Sequence, residues 1–278
     1  MTRVLFAGDT HGQTAHVDHL LRVAVRNVCT GMFVVGDFGY WEHTHDGRVF
    51  LDKVDRLAGR YGVALAFLDG NHDNAALLVQ RYAERDGDGL VVVREHLRYA
   101  PRGHRWTWRS SRLLAAGGAA SLDKEWRLAH EARRTARAAR KHSYRPATAP
   151  QVAPRDHAGT LWFPGEELTD NEVDAIVGDR SPVDLLLTHD KPRESAPSFN
   201  RKEAEAAYVN QDRVQRIVDA LAPLRVIHGH LHVRYSQRLP NGAVVDGLAC
   251  DPAAGASVPG TGWTTPVSVQ RGERHGDR

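Results

Sequence analysis

The sequence predicts an α/β fold whose central strands are covered on both faces and carry polar side chains at their carboxyl ends. Three observations lead there. Five short aliphatic runs, Val4-Leu5-Phe6-Ala7, Phe33-Val34-Val35, Ala64-Leu65-Ala66-Phe67-Leu68, Leu185-Leu186-Leu187 and Val226-Ile227, are each closed by Gly, Asp, Thr or His. Apolar runs of this kind, bounded by turn residues, read as fully buried strands. Segments with helical spacing stand between them. Each run also ends in carboxylate, amide or imidazole groups, which is where an open α/β sheet places its ligands.

The elements follow in order. After the first strand, Thr14 to Asn27 places Val17, Leu20, Leu21, Ala24 and Val28 at helical spacing. Phe50 to Tyr61 repeats the pattern with Leu51, Val54 and Leu57, and Asp73 to Arg85 begins another helix. Val91 to Val93 and Arg112 to Ala116 read as strands, both expected in a second sheet. Glu125 to Lys141, rich in Ala and Arg, reads as a helix, ended by Pro146, Pro150 and Pro154. Asn171 to Val177 and Gln211 to Leu221 read as helices before the last two ligand-bearing strands. Gln237 to Asp246 reads as a hairpin around Pro240-Asn241-Gly242, and Pro252 to Pro266 as a loop. Residues 1–270 are expected to form one domain, with 271–278 a flexible tail.

The polar ends form five motifs: Gly8-Asp9-Thr10-His11-Gly12, Gly36-Asp37, Gly70-Asn71-His72-Asp73, Thr188-His189-Asp190 and Gly229-His230-Leu231-His232. Singly, each has a structural reading. An Asp-x-His after a strand is commonly a turn with a helix cap, and a lone His189 is commonly a core histidine. His230 and His232 would face one side only if their segment is extended. Together, in this order, the motifs point to metal. His228 reads as structural, and His43 and His45 as residues of a rim loop.

These residues, in this order, resemble the calcineurin-like metallophosphoesterase superfamily, whose pattern of D-x-H, GD, GNH with a following acid, H and GHxH runs here from Asp9 to His232. The resemblance implies a four-layer α/β/β/α sandwich of two mixed sheets, which would use most of the chain. It implies that two divalent ions share Asp37, one completed by Asp9, His11 and His232, the other by Asn71, His189 and His230. It makes His72 the catalytic residue that contacts the phosphoryl group. Such a pair of ions, roughly 3.5–4 Å apart, clamps the phosphoryl group and lowers the pKa of the attacking water. A ligand set of N and O atoms favours Mn²⁺, with Fe, Co, Ni and Zn as alternatives. The HxHxDH run of metallo-β-lactamase-type hydrolases is not met, since Arg234 and Gly47 stand where it needs Asp. The GDxxDRG of Ser/Thr protein phosphatases is replaced by Gly36-Asp37-Phe38-Gly39-Tyr40-Trp41.

That last segment, with Gly117-Gly118-Ala119-Ala120-Ser121-Leu122-Asp123-Lys124-Glu125-Trp126-Arg127 and Trp162-Phe163-Pro164-Gly165-Glu166, is similar to a bacterial and phage branch of the superfamily. Trp41, Lys124 and Arg127 are the candidate substrate contacts. Residues 129–160 form a basic insertion, with seven Arg or Lys against Glu131 and Asp156, while the whole chain carries only +3. The insertion therefore accounts for the positive balance. It reads either as a flap steering a polyanion over the metals or as a solvated arm or subunit contact. With Trp126 just before it and Tyr144 its only Trp, Tyr or Phe, it gives weak support for base stacking.

The function expected is hydrolysis of phosphate esters, with phosphodiesters, nucleotides or nucleic acid favoured. The alternatives are a phosphomonoesterase or a binding scaffold without turnover. No run of 18 apolar residues occurs, so no membrane partner is expected. Two cysteines, Cys29 and Cys250, and an N-terminus that enters a strand at once lead to the expectation of a cytoplasmic protein.

Overall fold

In the computed structural model the alternation of apolar residues sorts each central strand between two interiors. The residues described are 3–108, 110–143, 159–195, 205–250 and 264–268. The first sheet has the order β12-β1-β2-β3-β5-β4, formed by β1 (Arg3–Ala7), β2 (Cys29–Val35), β3 (Ala64–Leu68), β4 (Val91–Val92), β5 (Leu97–Tyr99) and β12 (Thr264–Ser268). The second has the order β10-β11-β9-β8-β7-β6, formed by β6 (Arg105–Trp108), β7 (Ser111–Ala116), β8 (Leu185–Thr188), β9 (Arg225–His228), β10 (Tyr235–Arg238) and β11 (Val244–Gly247). The inner strands of both sheets are parallel, and the antiparallel ones lie at the edges.

Leu5, Met32, Val34, Leu65 and Phe67 face α1 (Thr14–Arg26) and α2 (His45–Tyr61). Their neighbours Val4, Phe6, Phe33, Val35 and Leu68 face Leu113, Ala115, Leu185, Leu187 and Ile227 of the other sheet. Leu114, Leu186 and Val226 turn to α5 (Asp170–Gly178) and α6 (Glu205–Leu221). The result is the α/β/β/α sandwich, with its middle layer shared by the two sheets. Its parallel strands end on one side, and all five motifs collect there.

Several expectations change. Val91 and Val92 pair with β5 in the first sheet rather than joining Arg112–Ala116 in the second. The helix after the third motif is only α3 (Ala75–Arg81), because Asp73 is engaged elsewhere and Asn74 caps it through Leu77 N–H. Helix α2 starts earlier, at His45, where the Thr44 side chain accepts from Gly47 N–H. The end of the segment assigned to a loop, Thr264–Pro266, belongs instead to β12, which pairs with β1. The helix of the basic insertion is α4 (Lys124–Ser143), and the remainder of the insertion at 144–158, including Tyr144, lies outside the described residues, as does the 271–278 tail. Among the described residues, no helix is long and apolar enough to cross a membrane.

Candidate metal centre

Tight turns at the strand ends, rather than strand alternation, aim the polar side chains. His11, Asp37, His230 and His232 all have left-handed backbone, with φ of +43°, +47°, +65° and +57°. Each such non-glycine residue costs of order 1–3 kcal/mol and persists where surrounding contacts fix it. Segment 229–232 is therefore not extended, and the two rings serve different groups: His232 meets Asp9, while His230 joins Asp37 and His189. Gly36, at φ +94°, is required for a second reason: a Cβ there would lie 2.1 Å from His189 Nδ1.

All seven predicted ligands converge. Asp9, His11 and His232 form one three-residue group, and Asp37, His189 and His230 another, with the potential donor atoms of each within 4.8 Å of one another. His11 joins them, with Nε2 3.9 Å from Asp9 Oδ2 and 3.5 Å from Asp37 Oδ2. Asn71 places Oδ1 3.2 Å from His189 Nε2.

The surroundings orient these atoms. His189 Nδ1 donates to the Val35 carbonyl at 2.8 Å, which leaves Nε2 toward Asp37 and Asn71. The N–H of His230 donates to Asp9 Oδ1 at 3.0 Å, and that of His72 to Asp37 Oδ1 at 2.8 Å. Asn71 donates to Ser121 Oγ, which donates to Glu166, so the GGAASLDK and WFPGE segments fix the amide with its oxygen inward. Asp73 accepts from the N–H groups of Phe38, Gly39, Tyr40 and Gly70 and so shapes the loop behind Asp37. The sequence signalled Asp73 only as an acid after GNH.

Two fully buried carboxylates draw positive charge into the cluster. Burial opposes the charge on His189, yet Asp37 and Asp9 carry its pKa up to about 9. Burial likewise opposes His232, but Asp9, with help from a contact with the buried Cys250, raises it to about 10. Asp9 is held down to about 2 by His189 and His232 in spite of its burial. A cluster of N and O donors around two buried carboxylates, with His189 Nδ1 and the Asn71 amide already engaged, fits divalent metal ions.

His72 and Arg127 face the same cavity, of about 530 Å³, lined also by Asp37, Asn71, His230 and His232. Arg127 Nη2 stands 2.6 Å from His72 Nε2. A guanidinium only donates, so this imidazole nitrogen accepts and the ring is neutral. Burial, reinforced by the guanidinium against the pull of Asp37, pushes the His72 pKa down to about 4. Arg127 is held from behind by Asp123 at 2.7 Å and the Leu161 carbonyl at 3.3 Å. The other two candidate contacts are placed differently. Trp41 donates its indole N–H to the His72 carbonyl at 2.8 Å, which positions that residue. Lys124 lies 4.4 Å over the Trp162 ring, in a separate cavity with Glu167 and Arg213. His228 is turned away, to the Tyr235 hydroxyl and the Gly229 carbonyl. His43 packs against Phe163.

A family model described as calcineurin-like phosphoesterase matches residues 2–234. The chain belongs to the calcineurin-like phosphoesterase family. It is accordingly a hydrolase of phosphate esters. No curated protein matches the sequence significantly. Among solved structures it is similar to a dimetal phosphatase from Danio rerio, at 14% identity and a TM-score of 0.52, covering 90% of this chain and 87% of that one. It is also similar to a phosphopantetheinyl hydrolase from Mycobacterium tuberculosis, at 15% identity and a TM-score of 0.47, covering 96% of each chain. The first of these likenesses supports the calcineurin-like phosphoesterase fold.

Proposed function

We propose that this calcineurin-like phosphoesterase is a phosphodiesterase acting on nucleotides or nucleic acid, with two Mn²⁺ ions held by Asp9, His11, Asp37, Asn71, His189, His230 and His232. The observation that carries the reading is the meeting of two ligand groups around Asp37 on the floor of a cavity that also holds His72 and Arg127. When bound, such ions supply Lewis acidity to the phosphoryl oxygens and acidify the attacking water.

The remaining work falls to this chain's own side chains. Asp37, oriented by the His72 N–H, is the shared ligand. Arg127 is the fixed positive charge that meets an equatorial phosphoryl oxygen as charge develops there. The neutral His72, with Nε2 3.8 Å from Asp37 Oδ2 and held by the guanidinium, lines the cavity beside the phosphoryl group. Trp41 fixes the His72 backbone, and Lys124 supports the loop at Trp162. A diester suits this arrangement because Leu122 and Ala207 also line the cavity and offer apolar surface to a second ester arm.

The test is turnover of bis-p-nitrophenyl phosphate against p-nitrophenyl phosphate by chelated protein reconstituted with Mn²⁺. The diester is expected to be preferred in kcat/KM. A preference for the monoester would make this a phosphatase, and two bound ions with neither substrate turned over would favour a binding scaffold.

A further inference from the structure

Helix α4 leaves the cavity mouth with two faces of opposite character. Arg127 and Glu131 point inward, where Glu131 accepts from the N–H groups of Gly159, Thr160, Leu161 and Trp162. On the outer side Trp126, His130, Arg133 and Arg137 fall within roughly 60° of one another, at about 100° per residue. Trp126 is 59% exposed, and its ring stacks on His130 with centroids 5.1 Å apart and planes at 22°. Arg133 and Arg137 are exposed and, among the described residues, make no ion pair. The acids of the helix, Glu125 and Glu131, lie off this face. Leu122, at the edge of the cavity and 51% exposed, stands one turn before Trp126. An apolar edge, an aromatic pair and two cations thus run outward in line from the mouth, roughly 16 Å from Trp126 to Arg137 at 1.5 Å per residue.

We propose that this face of α4 is the track of a single-stranded polynucleotide whose scissile phosphodiester lies in the cavity, an inference that rests on the phosphodiesterase reading above. Charge complementarity and continuity with the cavity argue for this occupant. A base freed from its stack lies on the Trp126–His130 pair, as exposed aromatics hold bases without regard to sequence. Arg133 and Arg137 meet the phosphates that follow, and their counterions are released. A duplex would keep its bases away from the rings. A membrane surface fits less well, because an interfacial helix carries apolar residues along its whole length, and here the exposed large ones end at Leu128, in the first turns of α4.

The test uses the full chain loaded with Mn²⁺, a fluorescein-labelled oligothymidylate with a phosphorothioate backbone, and fluorescence anisotropy over a salt series. Trp126→Ala is expected to raise Kd about 5- to 100-fold through the lost stack. Arg133→Glu with Arg137→Glu is expected to raise it more than about tenfold and to flatten the slope of log K against log salt by about 1.4. All of these positions lie on the surface, so turnover of bis-p-nitrophenyl phosphate stays unchanged and reports that each variant is folded. Oligonucleotide affinity indifferent to both variants overturns the track. So does wild-type protein that ignores the oligonucleotide but binds phosphatidylserine–phosphatidylcholine vesicles through the same residues, or variants that change only the oligomeric state. Wild-type protein that binds the oligonucleotide through this face yet leaves the small diester intact refutes the phosphodiesterase reading instead, and the track stands.

Discussion

Replacing Arg127 isolates the contribution of a single charge to the reaction. Its side chain is 5% exposed and makes three contacts, with Asp123, the Leu161 carbonyl and His72. The guanidinium is therefore fixed before substrate arrives and pays no reorganisation as the phosphoryl group gains charge. Removing one such preorganised donor costs about 2.7–4 kcal/mol of transition-state stabilisation, or about 10²–10³ in kcat. Arg127→Ala should show that loss on bis-p-nitrophenyl phosphate. Arg127→Lys keeps the charge but lacks the planar fork that satisfies three partners at once, so it should recover only part of the rate. The measurement is kcat and KM with Mn²⁺-loaded protein, beside metal content and a thermal unfolding curve for each variant. Alanine activity within about threefold of wild type would refute the reasoning. So would a loss matched by loss of metal, because Arg127 touches no proposed ligand.

Glu42 tests the fold beside the site. It is 4% exposed and accepts from Tyr40, Tyr82 and Arg94; burial opposes its charge, yet these partners hold its pKa below the ordinary carboxylate value. Glu42→Ala should destabilise by about 1–3 kcal/mol, the cost of leaving the Tyr40 and Tyr82 hydroxyls without their acceptor, since Arg94 keeps Asp52. The contribution of a lowered carboxyl pKa is present above the unfolded value and lost as pH falls through the folded one. The gap in melting temperature between wild type and Glu42→Gln should therefore narrow as pH falls through the acid range below the ordinary glutamate value, and a constant gap would count against this pairing. Gly36→Ala should push His189 aside, since its Cβ would lie 2.1 Å from Nδ1; metal content falling toward one ion per folded chain is the expected readout. Glu131→Ala leaves four backbone N–H groups without their acceptor, so hydrogen exchange across 124–143 should speed up, with a secondary loss of kcat as Arg127 loosens.

Much of this was legible in the residues. The five ligand-bearing strands are short, buried and closed by turn residues, so local chemistry and tertiary position agree. Helix α1 and the body of α2 announced themselves through periodic apolar faces. Strands β5 and β6 did not, because Arg98 and Arg105 break their apolar character, and β12 read as the end of a glycine- and proline-rich loop. Which sheet Val91 and Val92 join depends on pairing with residues 97–99, a contact that no periodicity encodes. The ligands could be named, but their left-handed backbone could not, since His230 and His232 give no sign that they turn to different groups. Lys124 and Arg127 looked alike in the sequence. Lys124, the first residue of α4, lies over the Trp162 ring in a separate cavity, and only Arg127, one turn further on, reaches His72.

Metal content measured together with turnover tests whether two ions meet at Asp37. Wild-type protein should hold about two ions per chain, as a dinuclear phosphoesterase requires. His189→Ala should lose one ion, and Asp37→Asn should lose both along with activity on the diester. Full metal content and undiminished turnover in Asp37→Asn would contradict the account.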